Sequence, residues 1–296
     1  MVAQERSSSL YYQTLKDQLV TRVPYDPHLL SLLFNEFHAN RWKKFCDLPL
    51  EIKNRFKYPD HQIVGARKQD PGYVLKMEEG KEKDNKETFH YFPENRQFLE
   101  YYSLNKLVDS TPVIRNFFSF AEGVYHYSSG IALNILASMA AERQDLAPIL
   151  LNPHNRFVLR FLHYLGTGEG DILAKQHYDR GGLTVHIHEN QPGFEFLSLN
   201  RDSSMEWKPV NLQDGFTFAF GSYQMQELTG CEICRVWHRV RRVPGNDIAN
   251  RTSIVLFVYL IDAPSYPDTH RSQDDVPGYV VDGFFRKYEE VPAGTG

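Results

Sequence analysis

The 296-residue chain is poor in cysteine, with three in all, and it carries no excess of positive charge, its formal net charge being −4. Three cysteines cannot build a disulfide framework. An acidic balance leaves no electrostatic footprint for nucleic acid. No uninterrupted apolar run approaches the length that crosses a bilayer, and MVAQERSSSLYYQTLKD lacks the apolar region of a signal peptide. Internal repeats and low-complexity linkers are missing too. These absences predict a cytoplasmic protein with no nucleic-acid or membrane partner. Cys231 and Cys234 form a C-x-x-C, but no second ligand pair stands nearby for structural zinc. A thioredoxin-like motif would open a helix, whereas GCEICRVWHRV is patterned as a strand, so both thiols read as packing residues.

What is present is a globular composition, 42% hydrophobic and 24% charged. The length suits one barrel-type domain able to enclose a cavity. The first half reads as helical. Asp26-Pro27 and Thr111-Pro112 are start signals, each a capping residue followed by proline at the first helical position. Leu29, Leu30, Leu33 and Phe37 follow the first at helical spacing. Ile114, Phe117, Phe118, Ala121, Val124, Tyr125, Ile131, Ile135 and Met139 follow the second, predicting a long helix lying on a sheet. EEGKEKDNKE, at 78–87, reads as a solvated flap. From about residue 155 the pattern becomes short runs separated by turn signals: RFVLRFLHYL, LTVHIHE, FEFLSL, WKPVNL, FTFAF, CRVWHRV and TSIVLFVYL. Such spacing predicts an all-β sandwich or barrel. The expected organisation is a single domain over 1–296: a mostly helical layer at 1–150, a β core at 151–262 and a C-terminal segment at 263–296.

Within that core, His177 and Asp179 stand two apart, so on an extended strand both side chains project from one face. His238, 59 positions further on in a separate run, can complete a 2-His-1-carboxylate set. That set leaves coordination positions open and suits non-haem Fe(II) chemistry. Thirteen positions beyond His238 comes Arg251-Thr252-Ser253. An arginine fork grips a carboxylate at two points and the serine hydroxyl adds a third donor. A buried arginine needs an anionic partner, which is either an acid of the protein or a dicarboxylate co-substrate.

Taken in order, these segments resemble the isopenicillin N synthase-like branch of the 2-oxoglutarate/Fe(II) dioxygenases. HYDRGGLT resembles that family's H-T-D-x-x-x-L-T, HRV its distal-histidine motif, RTSIVLFVY its R-x-S-x-x-F-F, and LRFLHYL its L-R-x-x-x-Y-P strand. FCDLPLEIKNRF is similar to F-F-x-L-P-x-E-x-K, and PGYV and KETFHYFP follow at the places the family leads one to expect, so the likeness spans roughly residues 25 to 262. The resemblance implies a double-stranded β-helix (jelly-roll) core braced by N-terminal helices. It implies Fe(II) on His177, Asp179 and His238, and 2-oxoglutarate held by Arg251, Ser253 and Tyr164. It further implies O2-dependent oxidation of an unactivated C–H bond, by hydroxylation, desaturation or cyclisation, with release of succinate and CO2. Because Asp179 is a carboxylate rather than the small residue of halogenating relatives, the resemblance disfavours halogenation.

The chain departs from the pattern at Tyr178, Leu165, Ser222 and Val255, where the family commonly has threonine, proline, aspartate and proline. Tyr178, Arg67, Tyr73 and His186 are the candidate substrate contacts. His186 and His188, two apart, share a face of their strand by parity and could compete as a metal pair; the resemblance puts them on ordinary strand positions, at most one facing the cavity, and packing or solvent contact is preferred. His163 projects away from Tyr164, while Arg160 shares its face, either lining the cavity or pairing with an acid, the latter preferred. Phe216, Phe218, Phe257, Phe284 and Phe285 are candidate cavity walls. Three alternatives stay open: an iron oxidase of this fold that does not use 2-oxoglutarate, a non-catalytic barrel that binds a small acid, and a zinc hydrolase or isomerase.

Overall fold

A computed structural model describes residues 11–35, 40–58, 72–78, 84–166, 171–199, 204–210, 215–245 and 247–265. Its strands are β1 (Val20–Pro24), β2 (Tyr73–Lys76), β3 (Lys86–Tyr91), β4 (Arg156–Tyr164), β5 (Ile172–His177) and β6 (Leu183–Glu189), followed by β7 (Phe194–Leu199), β8 (Met205–Pro209), β9 (Phe216–Gly221), β10 (His238–Arg241) and β11 (Thr252–Tyr259). They make two antiparallel sheets, one ordered β1-β9-β6-β11-β4-β3-β2 and the other β5-β10-β7-β8. From β4 onward the chain divides eight strands equally between the two sheets, the jelly-roll architecture.

Pairing register decides which side chains face the gap between the sheets. Arg160 lies opposite His90 and Val255, Tyr164 opposite Lys86, and Thr184 opposite Phe220 and Phe257. Alternate residues of the same strands, Phe161, Leu159, Val185 and Leu256, point the other way into the main hydrophobic core. There the long helix Pro112–Glu142 lies along the sheet, burying Ile114, Phe117, Ala121, Val124, Ile131, Ile135 and Met139 as the apolar stripe predicts. Phe117 meets Phe161 edge to face at 5.2 Å, and Trp42 and Phe45 fill the space beside it. The Asp26 carboxylate caps the helix Pro27–Phe34 by accepting from the His28 and Leu29 amides.

The N-terminal half is less helical than its sequence suggests, because β1, β2 and β3 extend the larger sheet at both edges. The charged stretch 78–87 ends in strand: Lys86 and Glu87 open β3, and Glu87 is buried. CRVWHRV is not one strand. The helix Tyr223–Leu228 precedes it, Cys231 takes a positive φ of 69°, and only His238–Arg241 is extended. Neither Cys231 nor Cys234 is in a disulfide; Cys234 is buried and Cys231 half-buried. Among the described residues no helix is long and apolar enough to cross a membrane.

Candidate metal centre

His177 ends β5 directly opposite His238, which begins β10, and Asp179 lies just beyond the end of β5. The two imidazole centroids are 4.2 Å apart. His177 Nε2 is 3.9 Å from Asp179 Oδ1, and His238 Nε2 is 3.8 Å from Asp179 Oδ2. Each ring is oriented from behind: His177 Nδ1 donates to the Lys175 carbonyl at 2.7 Å and His238 Nδ1 to the Val236 carbonyl at 3.0 Å. A proton fixed on Nδ1 leaves the Nε2 lone pair free, the tautomer a metal requires. Burial, then the field of His238, lowers the His177 imidazole to about 4, so it stays neutral. Burial alone would raise the Asp179 carboxyl, but His238, His177 and the Thr184 hydroxyl hold it below its ordinary value.

Behind Asp179 runs a short hydroxyl chain that sequence reading missed. Thr184 Oγ1 donates to Asp179 Oδ2 at 2.7 Å and is 2.9 Å from Ser222 Oγ. Ser222, where the resembling family commonly has aspartate, is fully buried, and its amide donates to the Gly182 carbonyl. The adjacent Tyr223 amide donates to the Asp179 carbonyl at 2.9 Å. The metal loop is thus tied to the start of the helix after β9.

Arg251 is 1% exposed, and its Nη2 donates to Glu189 Oε2 at 2.7 Å. A protein acid therefore takes one arm of the fork. Arg251 Nε and Nη1 and Ser253 Oγ are nevertheless buried without a hydrogen-bond partner. Buried donors left unmade are costly, and this trio fits a ligand carboxylate. Tyr164 joins them, with the guanidinium 4.6 Å from its ring centroid, and both Tyr164 and Ser253 line the inner chamber beside the triad. Gly193, at φ 154°, keeps the space open, since a Cβ there would stand 3.2 Å from Arg251 Nε.

The other candidates divide. Tyr178 is 4% exposed and lines the outer chamber of about 280 Å³ with His177 and Asp179. Arg235 lies over the Tyr178 ring at 4.3 Å. His186 lines the inner chamber, stacked on Phe218 at 4.7 Å. It does not share a face with His188. The β6–β11 register breaks between His188 and His186, so Ile187 is an extra residue and parity flips beyond it. Glu189 is thereby turned toward Arg251, while His188 meets Phe34 at 5.3 Å. Tyr73 is no cavity contact: it lies on the helical side of the sheet, fully buried, and donates to Glu87 at 2.7 Å. His163 is on that side too, 3.2 Å from Glu87.

Arg160 lines both chambers and, among the described residues, pairs with no acid, contrary to the preferred expectation. Of the candidate walls, Phe257 lines the cavity and Phe218 backs His186, but Phe216 is 43% exposed at a strand end. Phe194 and Phe220 complete the wall, within 5.3 and 5.1 Å of His238. Arg67, Phe284 and Phe285 lie outside the described residues.

The fold belongs to a recognisable structural class. Solved structures of 2-oxoglutarate/Fe(II) oxygenases share it along nearly the whole chain. A protein of the 2OG-Fe(II) oxygenase family from Caulobacter crescentus superposes with a TM-score of 0.63 at 18% identity, over 96% of this chain and 95% of that one. The dioxygenase for auxin oxidation 1 of Arabidopsis thaliana, solved with 2-oxoglutarate, gives 0.59 at 17% identity, over 93% and 96%. A full-length Neurospora crassa protein, solved with alpha-KG and 5-formyluracil, gives 0.62 at 16% identity, over 90% and 84%. No family model and no curated protein matches the sequence.

Proposed function

We propose that this protein is a 2-oxoglutarate- and Fe(II)-dependent oxygenase of a small molecule. The observation that carries the reading is one cavity lined by the His177–Asp179–His238 triad, Ser253 and Tyr164, with the guanidinium of Arg251 against the Tyr164 ring and its Nε and Nη1, like Ser253 Oγ, buried without a partner. The shared fold of structures solved with 2-oxoglutarate supports it. The three ligating atoms all lie within 4.8 Å of one another, and two neutral nitrogens with one carboxylate suit Fe(II). Fe(II) with 2-oxoglutarate and O2 supplies the oxidation of an unactivated C–H bond, with succinate and CO2 as co-products. The residues of the chain do the rest. The Lys175 and Val236 carbonyls hold the ring protons away from the metal side, and Thr184 aims the carboxylate. Arg251 and Ser253 bind the distal carboxylate of 2-oxoglutarate, with Tyr164 against the guanidinium. Phe194, Phe220 and Phe257 exclude water from the reacting side.

Anaerobic Fe(II) and 2-oxoglutarate should give the visible charge-transfer band of a chelated keto acid, and Arg251→Ala should raise the 2-oxoglutarate requirement by about 100-fold, the loss of a charge-assisted pair. Glu189 on one arm of Arg251 favours a second reading, an iron oxidase in which the arginine is already neutralised. Under that reading the band does not form and turnover proceeds without 2-oxoglutarate.

A further inference from the structure

The cavity holds a cation that the proposed chemistry does not use. Arg160 Nε donates to His90 Nε2 at 2.6 Å, and the guanidinium lies 4.5 Å from the Phe257 ring centroid. To accept there, His90 must be neutral, so it orients the arginine without offsetting its charge. Three other buried or part-buried cations have acids: Arg251 has Glu189, Arg239 has Glu195 and Lys86 has Asp84. Among the described residues no carboxylate pairs with Arg160, and its two Nη nitrogens keep their donors.

The lining offers Arg160 little negative charge. Asp179 is the only acid among the described lining residues of the two chambers. Asp179 is committed to the metal. A part-buried guanidinium with no ion-pair acid attracts anions, and its planar fork matches a carboxylate. Tyr178, Phe257 and Tyr259 supply flat apolar walls beside it, and an outer chamber of about 280 Å³ admits a small molecule rather than a polymer.

We propose that Arg160 is the substrate-binding residue for a small carboxylic acid, whose carboxylate it takes through its Nη nitrogens while the carbon skeleton lies between Phe257 and the metal centre. This rests on the oxygenase reading above. The substrate acid and the co-substrate therefore have separate arginines, Arg160 at the mouth and Arg251 at the inner end.

The test uses the full-length protein with saturating Fe(II) and 2-oxoglutarate, held anaerobic and followed by the chelate band. Benzoate, phenylacetate, 3-phenylpropanoate and hexanoate are each titrated against their primary amides. At least one acid should bind about ten- to a hundredfold more tightly than its amide, as one charge-assisted hydrogen-bonded contact predicts. Arg160→Gln should erase that preference with an unchanged melting temperature and an intact band. Arg160→Lys should keep part of it, because the charge survives without the fork. No acid preference in the native protein, or a preference that survives in Arg160→Gln, overturns the proposal. So does an acid that removes the band, since it would be competing at Arg251. A band that never forms overturns the oxygenase reading and this inference with it, and is seen before any acid is added.

Discussion

Among the described residues two clusters have the composition of a metal site, His177–Asp179–His238 between the sheets and Cys46–Glu87–His163 on the helical side of the larger sheet. They differ in what their lone pairs are doing. In the second, Glu87 already accepts from Lys53, Tyr73 and His163, and these partners hold its carboxyl down to about 2 although burial opposes them. His163 is engaged through both nitrogens, its Nε2 lying 2.7 Å from the Ala249 carbonyl. Burial, then Glu87, pushes the Cys46 thiol well above its ordinary value, so it stays protonated. Nothing there is left to bind a cation, and Lys53 is the cation. In the first cluster both Nε2 atoms and the carboxylate converge with no protein cation hydrogen-bonded among them. Satisfied groups make structure, and unsatisfied ones make a site.

Exchanging one carboxylate in each cluster should separate the two roles. Asp179→Ala should weaken anaerobic Fe(II) binding, read by calorimetry, by more than about 100-fold, beyond what loss of an outer partner costs, and should abolish O2-dependent succinate formation. Retained binding would remove the triad from the proposal. Glu87→Ala should leave Fe(II) stoichiometry unchanged but cost about 3–5 kcal/mol in denaturant unfolding, because it strands a buried ammonium. If Glu87→Ala lost metal instead, the contrast between the clusters would fail. A smaller effect is expected at the hydroxyl chain: Thr184→Val keeps the side-chain shape but frees Asp179 Oδ2, and should reduce Fe(II) affinity by about tenfold.

Much of the site was legible because strand parity is a rigid rule. His177 with Asp179, Arg160 with Tyr164, and Arg251 with Ser253 all meet as a period of two requires. The rule failed where the chain breaks it. No local signal in LTVHIHE announces the extra residue at Ile187, so parity alone puts His188 on the face of His186 and gives no hint of Glu189 as the partner of Arg251. Lys86 and Glu87 were hidden in a run of charge whose average resembles a solvated loop; only pairing with β4 shows one lining the cavity and the other buried beneath the sheet. Tyr73 reads as substrate-facing only if the side of its strand is known. Ser222 became informative through Thr184, 38 positions earlier in sequence and 2.9 Å away in space.

His188 provides the smallest test. Burial, then the field of His186, lowers the His188 imidazole from 6.5 to about 4. The folded protein thus holds it neutral at a pH where the unfolded chain protonates it. Its contribution to stability is complete above about pH 6.5 and is lost as pH falls toward about 4, since over that window the unfolded state binds the extra proton. Glu87 adds acid sensitivity only lower down, below its ordinary value of 4.5 and toward about 2. The melting temperature of metal-free protein should therefore fall between pH 6.5 and pH 5. His188→Gln, which cannot titrate, should reduce that fall by roughly 2 °C, a modest increment for a chain of this size. Had parity held through Ile187, His188 would face the metal cavity, and its replacement would alter Fe(II) binding rather than the acid limb of stability. Calorimetry of Fe(II) binding beside the melting curves tells these outcomes apart, and a change in the metal isotherm alone would return His188 to the cavity face.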